Sequence, residues 1–453
     1  MKNKIVVIGD VILDSYIIGS SNRLSPEAPI PVVKYEKEFF RLGGCLNVFN
    51  NLKNLKQPAH VIGVTGNDNS RKEVINLLGG ENFEGLIIDE DRSTTIKQRI
   101  IIGNQQVVRV DKEVTLDIDE ETQNKIFKHL VKYHHDNDID IIILSDYNKG
   151  VLNQVLCKKI IDYSLKNNIK VLVDPKGNDF SKYKGSFLIT PNHKEAVEIT
   201  NFKFDNEKYN EISNFIKNQF SIKNVLITLS EKGVFLNHNH KNYKYKSNVK
   251  DVSDVSGAGD TVMATIAYCL NIGKSLPKSC EIANYAGGVV VSKSGTASIF
   301  ISDIEFLLNN ESEFSNSNFK KIVFTNGCFD ILHIGHLKIL SEAKKLGDYL
   351  IVGLNSDSSV KSLKGSNRPI NKEEVRKEIL DSIKYVDEVI IFKEKTPLKL
   401  IKKIRPNILV KGGDYKIDEV VGCKEVIESG GEVKIIPLVN GFSTTNIISK
   451  FKN

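Results

Sequence analysis

The segment Asp254-Val-Ser-Gly257-Ala258-Gly259-Asp260-Thr261 sets three small residues and a carboxylate directly before an apolar stretch that runs to Leu270. Glycine lets a backbone approach a ligand closely, and the N–H groups at a helix start point at an anion with the helix dipole behind them. Gly257, Ala258 and Gly259 therefore form a candidate anion hole for a transferring phosphoryl group. Asp260 beside it is the candidate base for the proton of an attacking hydroxyl. A glycine-rich turn with Asp as a helix cap has the same local sequence, so this motif alone leaves both readings open.

A second segment reads Thr325-Asn326-Gly327-Cys328-Phe329-Asp330-Ile331-Leu332-His333-Ile334-Gly335-His336-Leu337. Two histidines three apart, at the start of a helix that follows a strand, can place both imidazoles and backbone N–H groups on one phosphate. Attack at an α-phosphate builds charge on its equatorial oxygens, which donors fixed in advance stabilise. A zinc pair on one helical face wants histidines four apart with a glutamate, a pattern absent here. Class I aminoacyl-tRNA synthetases share the four-residue signature, but no KMSKS-like loop follows it and the C-terminal unit is small. Gly273-Lys274-Ser275 resembles the end of a Walker A loop, but Tyr268 stands where that motif requires glycine, and a helix-end turn is expected.

The elements that must position these groups are legible as short β-branched runs. They lie at Ile5 to Ile8, Ile139 to Leu144, Val171 to Val173 and Val225 to Leu229, then at Ile322 to Phe324, Leu350 to Gly353, Val389 to Phe392, Ile408 to Val410 and Val433 to Ile436. Amphipathic stretches separate them, which reads as βαβ units with parallel sheets buried on both faces. Ligands of such sheets sit beyond the carboxyl ends of the strands, so residues just after each run are the first candidates for chemistry. Pro31 to Tyr35, Thr94 to Ile102 and Gln105 to Val110 alternate instead, as hairpin strands of a small separate sheet do. NNESEFSNSN, Asn309 to Asn318, has little to bury and reads as a linker between a domain at 1–310 and another at 319–453.

A chain of 453 residues is too long for one ordinary core, and 40% hydrophobic with 26% charged residues is globular composition. The net charge of +7 is spread over scattered lysines with no basic block interleaved with aromatics, so no nucleic-acid partner is expected. Six cysteines without a C-x-x-C pair indicate neither disulfides nor structural zinc and point to a reducing, cytoplasmic setting. The first apolar run is broken by Gly9-Asp10 after four residues, so no membrane segment is expected there.

Gly43-Gly44-Cys45-Leu46-Asn47 opening a helix, Asp10 and Asp14 after the first strand, Asp174-Pro175-Lys176-Gly177, Asn192-His193-Lys194-Glu195 and the glycine-rich motif at Asp260 come in an order that resembles the ribokinase-like (PfkB) sugar kinases over residues 1 to 305. That resemblance implies an α/β/α kinase domain with a small β lid that often forms a homodimer. It implies Asp260 as base, Asp14, Gly43, Gly44 and Asn47 on the sugar, and Asn192, His193, Lys194 and Glu195 near the phosphates of Mg²⁺-ATP. Lys97, Arg99, Arg109 and Lys176 are candidates for a distal phosphate of the substrate. Cys45 and Leu46 depart from the small residues usual after the double glycine.

The C-terminal motif, with Asn355-Ser356-Asp357, Lys364-Gly365, Arg368-Pro369, Arg376, Lys411-Gly412-Gly413-Asp414 and Gly441-Phe442-Ser443-Thr444-Thr445, resembles the cytidylyltransferase-like nucleotidyltransferases, a Rossmann-like α/β fold. Here His333 and His336 are the expected catalytic pair, with Asn326, Gly327, Phe329, Asp330, Lys364, Arg368, Ser443, Thr444 and Thr445 around ATP. No fixed protein metal site is expected, Mg²⁺ arriving with ATP. The order of the two modules resembles the bifunctional enzymes that phosphorylate D-glycero-β-D-manno-heptose 7-phosphate at C1 and adenylylate heptose 1-phosphate for lipopolysaccharide core. A sugar or polyol kinase fused to a cytidylyltransferase has the same architecture, and a non-catalytic scaffold would be expected to lack Asp260 or His336.

Overall fold

The computed structural model describes residues 5–80, 83–103, 105–200, 208–247, 257–292, 298–309, 321–365, 367–413, 416–429 and 431–437. The chain forms two compact units. The first contains β1 (Ile5–Ser20), β2 (Lys34–Gly44), β3 (Ala59–Thr65), β4 (Leu86–Ile88), β5 (Thr95–Ile102), β6 (Gln105–Lys112), β7 (Ile141–Ser145), β8 (Lys170–Asp174), β9 (Leu188–Ile189), β10 (Asn224–Thr228), β11 (Val234–His238) and β12 (Lys241–Tyr245). The main sheet runs β12-β11-β10-β9-β8-β7-β1-β3-β4, parallel except at β11 and β12.

Strict alternation explains why this sheet is buried on both faces. Val6, Ile8, Ile142 and Leu144 enter one core with the helices Glu120–Asp136, Gln154–Lys166 and Tyr209–Phe220. Ile5, Val7, Ile141 and Ile143 enter the other, against the helices Cys45–Asn54, Ala258–Asn271 and Leu276–Val291. Cys45 and Leu46 are wholly buried in that second core, so these departures fill packing space behind the site and do not line it.

The small sheet is not separate. β1 continues past Gly9-Asp10 to Ser20, and its outer half pairs with β2 antiparallel and with β5 in parallel, β6 closing the edge. The expected strand at Pro31 to Tyr35 also lies further on, at Lys34–Gly44. One strand thus runs through both sheets and carries Asp10 and Asp14 at their junction.

The second unit is a parallel sheet ordered β15-β14-β13-β16-β17, with β13 (Ile322–Gly327), β14 (Tyr349–Asn355), β15 (Glu388–Phe392), β16 (Ile408–Gly412) and β17 (Glu432–Ile436). Val323, Leu350 and Val352 pack on one face, and Phe324, Ile351 and Leu409 on the other. In both sheets the strand order reverses beside the first strand, next to β7 in one and β16 in the other. Such switch points open a crevice at the carboxyl ends of the strands. No helix among the described residues is long and apolar enough to cross a membrane.

Candidate active sites

At the switch point of the first unit, Asp260 stands in the first turn of the helix Ala258–Asn271, capped by Gly257. Intrahelical bonding begins with Thr261 N–H on Gly257 C=O at 3.0 Å. The amides of Ala258, Gly259 and Asp260 therefore belong to the helix end, where an anion is favoured. The buried Asp260 carboxylate accepts from Asn47 Nδ2 at 2.7 Å and from the Tyr147 hydroxyl at 2.8 Å. Burial pushes its pKa up to about 6, against the pull of those two donors; Asp14 raises it further and Lys97 lowers it. A carboxylate poised there can serve as a base at neutral pH.

The double glycine is a matter of space. A Cβ on Gly43 would lie 2.4 Å from Asp14 Oδ2, and one on Gly44, at φ +59°, 2.3 Å from the Asp10 carbonyl. Only glycine lets this strand end lie against β1 and start the helix that presents Asn47. Asp14 is ion-paired to Arg99 Nη1 at 2.6 Å, and the Lys97 ammonium lies 5.1 Å from the centre of the Tyr147 ring. Asp14, Asn47, Lys97, Arg99 and Asp260 thus form one group.

Other candidates fall elsewhere. Lys176 pairs with Glu195 Oε1 at 2.7 Å, beside the Asn192 segment and apart from the Arg99 pair. Arg109, across the ladder from Arg99, is half-exposed and paired with Asp111 at 2.9 Å. Asn192 and Glu195 cap the helix His193–Thr200 reciprocally, each side chain accepting the other's backbone N–H at 3.0 Å. Lys194 is exposed near Glu198, and burial lowers the pKa of His193. Asp174, at the end of β8, is raised well above the carboxylate range by burial, then by Asp260 and Glu195. Sequence reading gave no role to Tyr147 or Asp10. Asp10 closes the first apolar run, whereas nothing in the sequence marks Tyr147, two residues beyond β7.

In the second unit, β13 delivers the chain to a loop that ends at His333, the N-cap of the helix Ile334–Lys345. The imidazoles of His333 and His336 stack with centroids 3.8 Å apart, and neither Nδ1 has a hydrogen-bond partner among the described residues. Burial, then His333, pushes the His336 pKa down to about 4, and burial lowers that of His333. Both are therefore neutral at pH 7. The Phe329 ring lies 5.1 Å from His336. Lys411, from the end of β16, donates to Asn326 Oδ1 at 3.1 Å and bridges the switch point.

Asp330 is committed to structure. It accepts from Arg368 Nε at 2.5 Å, Ile370 N–H at 2.7 Å and Asn371 N–H at 3.0 Å, and so it straps the Arg368 loop to the histidine loop. Arg376, fully buried, reaches the carbonyls of Cys328, Asn355 and Asn371 and the Asp357 carboxylate at 2.6 to 2.9 Å. Lys364 is exposed at the end of the helix Asp357–Lys364. Gly327 closes β13. Ser443, Thr444 and Thr445 lie outside the described residues.

Comparison with known proteins matches the two parts of the chain to two families. Residues 2–303 match the pfkB family carbohydrate kinases and residues 324–450 the cytidylyltransferase-like family. Proteins called bifunctional protein HldE are similar over the whole length. That of Aliarcobacter butzleri is 45% identical, covering 100% of this chain and 98% of its own. That of Helicobacter pylori is 44% identical, covering 99% and 98%. Among solved structures, Escherichia coli phosphofructokinase-2 with fructose-6-phosphate has a TM-score of 0.55 at 19% identity over 68% of this chain and 98% of its own. Arabidopsis thaliana ribokinase with ribose and ATP has a TM-score of 0.53 at 18% over 69% and 100%; at such identities the likeness concerns fold. Similarity over the full length of both chains, with the two family models matched in the same order, makes this chain a member of the bifunctional HldE family, a pfkB-type carbohydrate kinase joined to a cytidylyltransferase-like nucleotidyltransferase.

Proposed function

We propose that residues 1–310 phosphorylate D-glycero-β-D-manno-heptose 7-phosphate at C1 and that residues 319–453 adenylylate heptose 1-phosphate, for lipopolysaccharide core synthesis in the cytoplasm. The observation that carries the reading is the Asp260 carboxylate, ionisable near neutrality and set at a helix N-terminus beside Asn47 and Asp14. Asp260 takes the proton of the C1 hydroxyl, O1 bonds to the γ-phosphorus of Mg²⁺-ATP, and the bond to the bridging oxygen breaks to release ADP. The amides of Gly257, Ala258 and Gly259 receive the transferring charge. Lys97 and Arg99 are the cations nearest the sugar, while Lys176 and the Asn192-to-Glu195 segment face ATP.

In the second site an oxygen of the 1-phosphate attacks the α-phosphorus of ATP and pyrophosphate leaves. The acceptor is already ionised, so positioning and charge stabilisation do the chemistry. His333, His336, the helix end after them, Lys411 and Arg368 are the donors on hand, with Lys364 proposed for the outer phosphates; the same role for Ser443, Thr444 and Thr445 rests on the sequence alone. Mg²⁺ enters as part of the nucleotide. The kinase lid forms the homodimer contact, supported by exposed Val107, Val108 and Val110 on the edge strand β6; a monomeric mass in light scattering would remove that point.

Mass spectrometry of products separates the alternatives. Heptose 7-phosphate with ATP is expected to give the 1,7-bisphosphate, and heptose 1-phosphate with ATP to give ADP-heptose. Turnover with CTP alone would instead mark a kinase fused to a cytidylyltransferase.

A further inference from the structure

The Asp260 carboxylate has both oxygens engaged within the protein, Oδ2 by Asn47 and Oδ1 by the Tyr147 hydroxyl. Tyr147 stands on the loop between β7 and the helix Gln154–Lys166, and that loop is held from beneath. Asp10 accepts the backbone N–H groups of Tyr147 at 2.7 Å, Lys149 at 3.2 Å and Val151 at 3.3 Å. Two further ties restrain it. Lys149 Nζ meets Glu113, one residue past β6, at 2.7 Å, and the Lys149 carbonyl accepts from Arg92 at 2.6 Å. Burial and the neighbouring Asp260 push the Tyr147 hydroxyl well above its ordinary pKa, so it stays a donor.

We propose that Tyr147 is a positioning residue of the phosphoryl-transfer site, its hydroxyl holding Oδ1 of Asp260 in the orientation from which the carboxylate accepts the proton of the attacking hydroxyl. The proposal rests on the reading of Asp260 as base. A carboxylate offers about four lone-pair sites, so one donor on each oxygen fixes its plane and leaves room for the substrate. The loop that supplies the donor is anchored on β1, the strand that also carries Asp14. The donor that orients the base and the sugar ligand Asp14 therefore share one support. Misplacing a reacting group by about 1 Å can cost roughly 10²-fold in rate.

The test is Tyr147→Phe in the full-length chain, which keeps the ring and its contact with Lys97 and deletes only the hydroxyl. Expected are a kcat for sugar phosphorylation lowered roughly 10- to 100-fold, a sugar KM within about threefold, and an acidic limb of the pH–rate profile moved upward. Loss of a donor to the ionised carboxylate moves the limb in that direction. Asp14 from β1, Lys97 from β5 and Asp174 from β8, the other charged groups around Asp260, are unchanged in the variant. Nucleotidyl transfer by the same molecules is expected to be unaltered. Lys149→Met, which frees the loop from Glu113, is expected to lower kcat by a smaller factor at unchanged KM.

A merely structural tyrosine would lower the melting temperature and leave the acidic limb in place. That result, or a kcat within twofold of wild type in both variants, overturns the proposal. Asp260→Asn separates this failure from that of the underlying reading. If it is inactive while Tyr147→Phe is normal, only the role of Tyr147 falls; if it remains active, the base assignment falls too.

Discussion

As the proposed base, Asp260 has to carry a charge where burial resists it, and this tension has two measurable consequences. Its pKa of about 6 in the folded chain exceeds the ordinary 3.8, so between those values the native state holds a proton that the unfolded state has released. Stability from this group is therefore present below about pH 4 and lost as pH rises towards about 6. Asp260→Asn lacks this loss. Its melting temperature relative to wild type is expected to rise across that window in thermal scans, while kinase kcat/KM of the wild type falls as pH drops through about 6. The histidines run the opposite way. His336 is held neutral with a pKa of about 4, and a triphosphate beside it would raise that value. ATP binding by the second site should accordingly take up protons near pH 5.5, seen by calorimetry in buffers of different ionisation enthalpy, and His336→Ala should abolish the uptake.

Elements place these groups, and they differ in how far the sequence declares them. Parallel core strands such as Ile141–Ser145 and Tyr349–Asn355 are legible because both faces are buried and the runs are uniformly apolar. The continuation of β1 to Ser20 is not, because Gly9-Asp10 looks like a strand end until a second sheet is known to take over the pairing. Asp260 stood out in a glycine-rich motif that a helix cap could equally have produced, and Asn47 came only with the family resemblance; their 2.7 Å hydrogen bond is what joins the two. Tyr147 was not legible, since a lone tyrosine after a strand has no signature until its distance to Asp260 is known. Arg376 shows the same limit: the sequence marks it only as part of the family resemblance, and its burial, at 1% exposed, appears only in the fold. It ties the histidine loop to the end of β14. Arg376→Met should destabilise the second unit by on the order of 3 kcal/mol, because it leaves buried carbonyls and Asp357 without their donor. Differential scanning calorimetry should show a lowered transition for that unit alone.

At the scale of the molecule the two units have separate sheets, separate switch points and separate helix starts proposed to hold phosphate. We expect cleavage after Glu313 to yield two soluble fragments, each near its intact rate with its own substrate. A C-terminal fragment that folds but needs the kinase fragment for activity would show dependence between the sites. On the proposed reactions the kinase product would still carry its C7 phosphate, so direct transfer between sites would have no chemical use before a phosphatase had acted. The most direct measurement of the whole account is a cross-assay of full-length Asp260→Asn and His336→Ala, with both products quantified by mass spectrometry. Asp260→Asn is expected to lose sugar phosphorylation and keep ATP binding and nucleotidyl transfer. His336→Ala is expected to keep phosphorylation and lose nucleotidyl transfer by roughly 10²–10³-fold. Either variant losing both activities while still folded, or neither activity, would contradict the account.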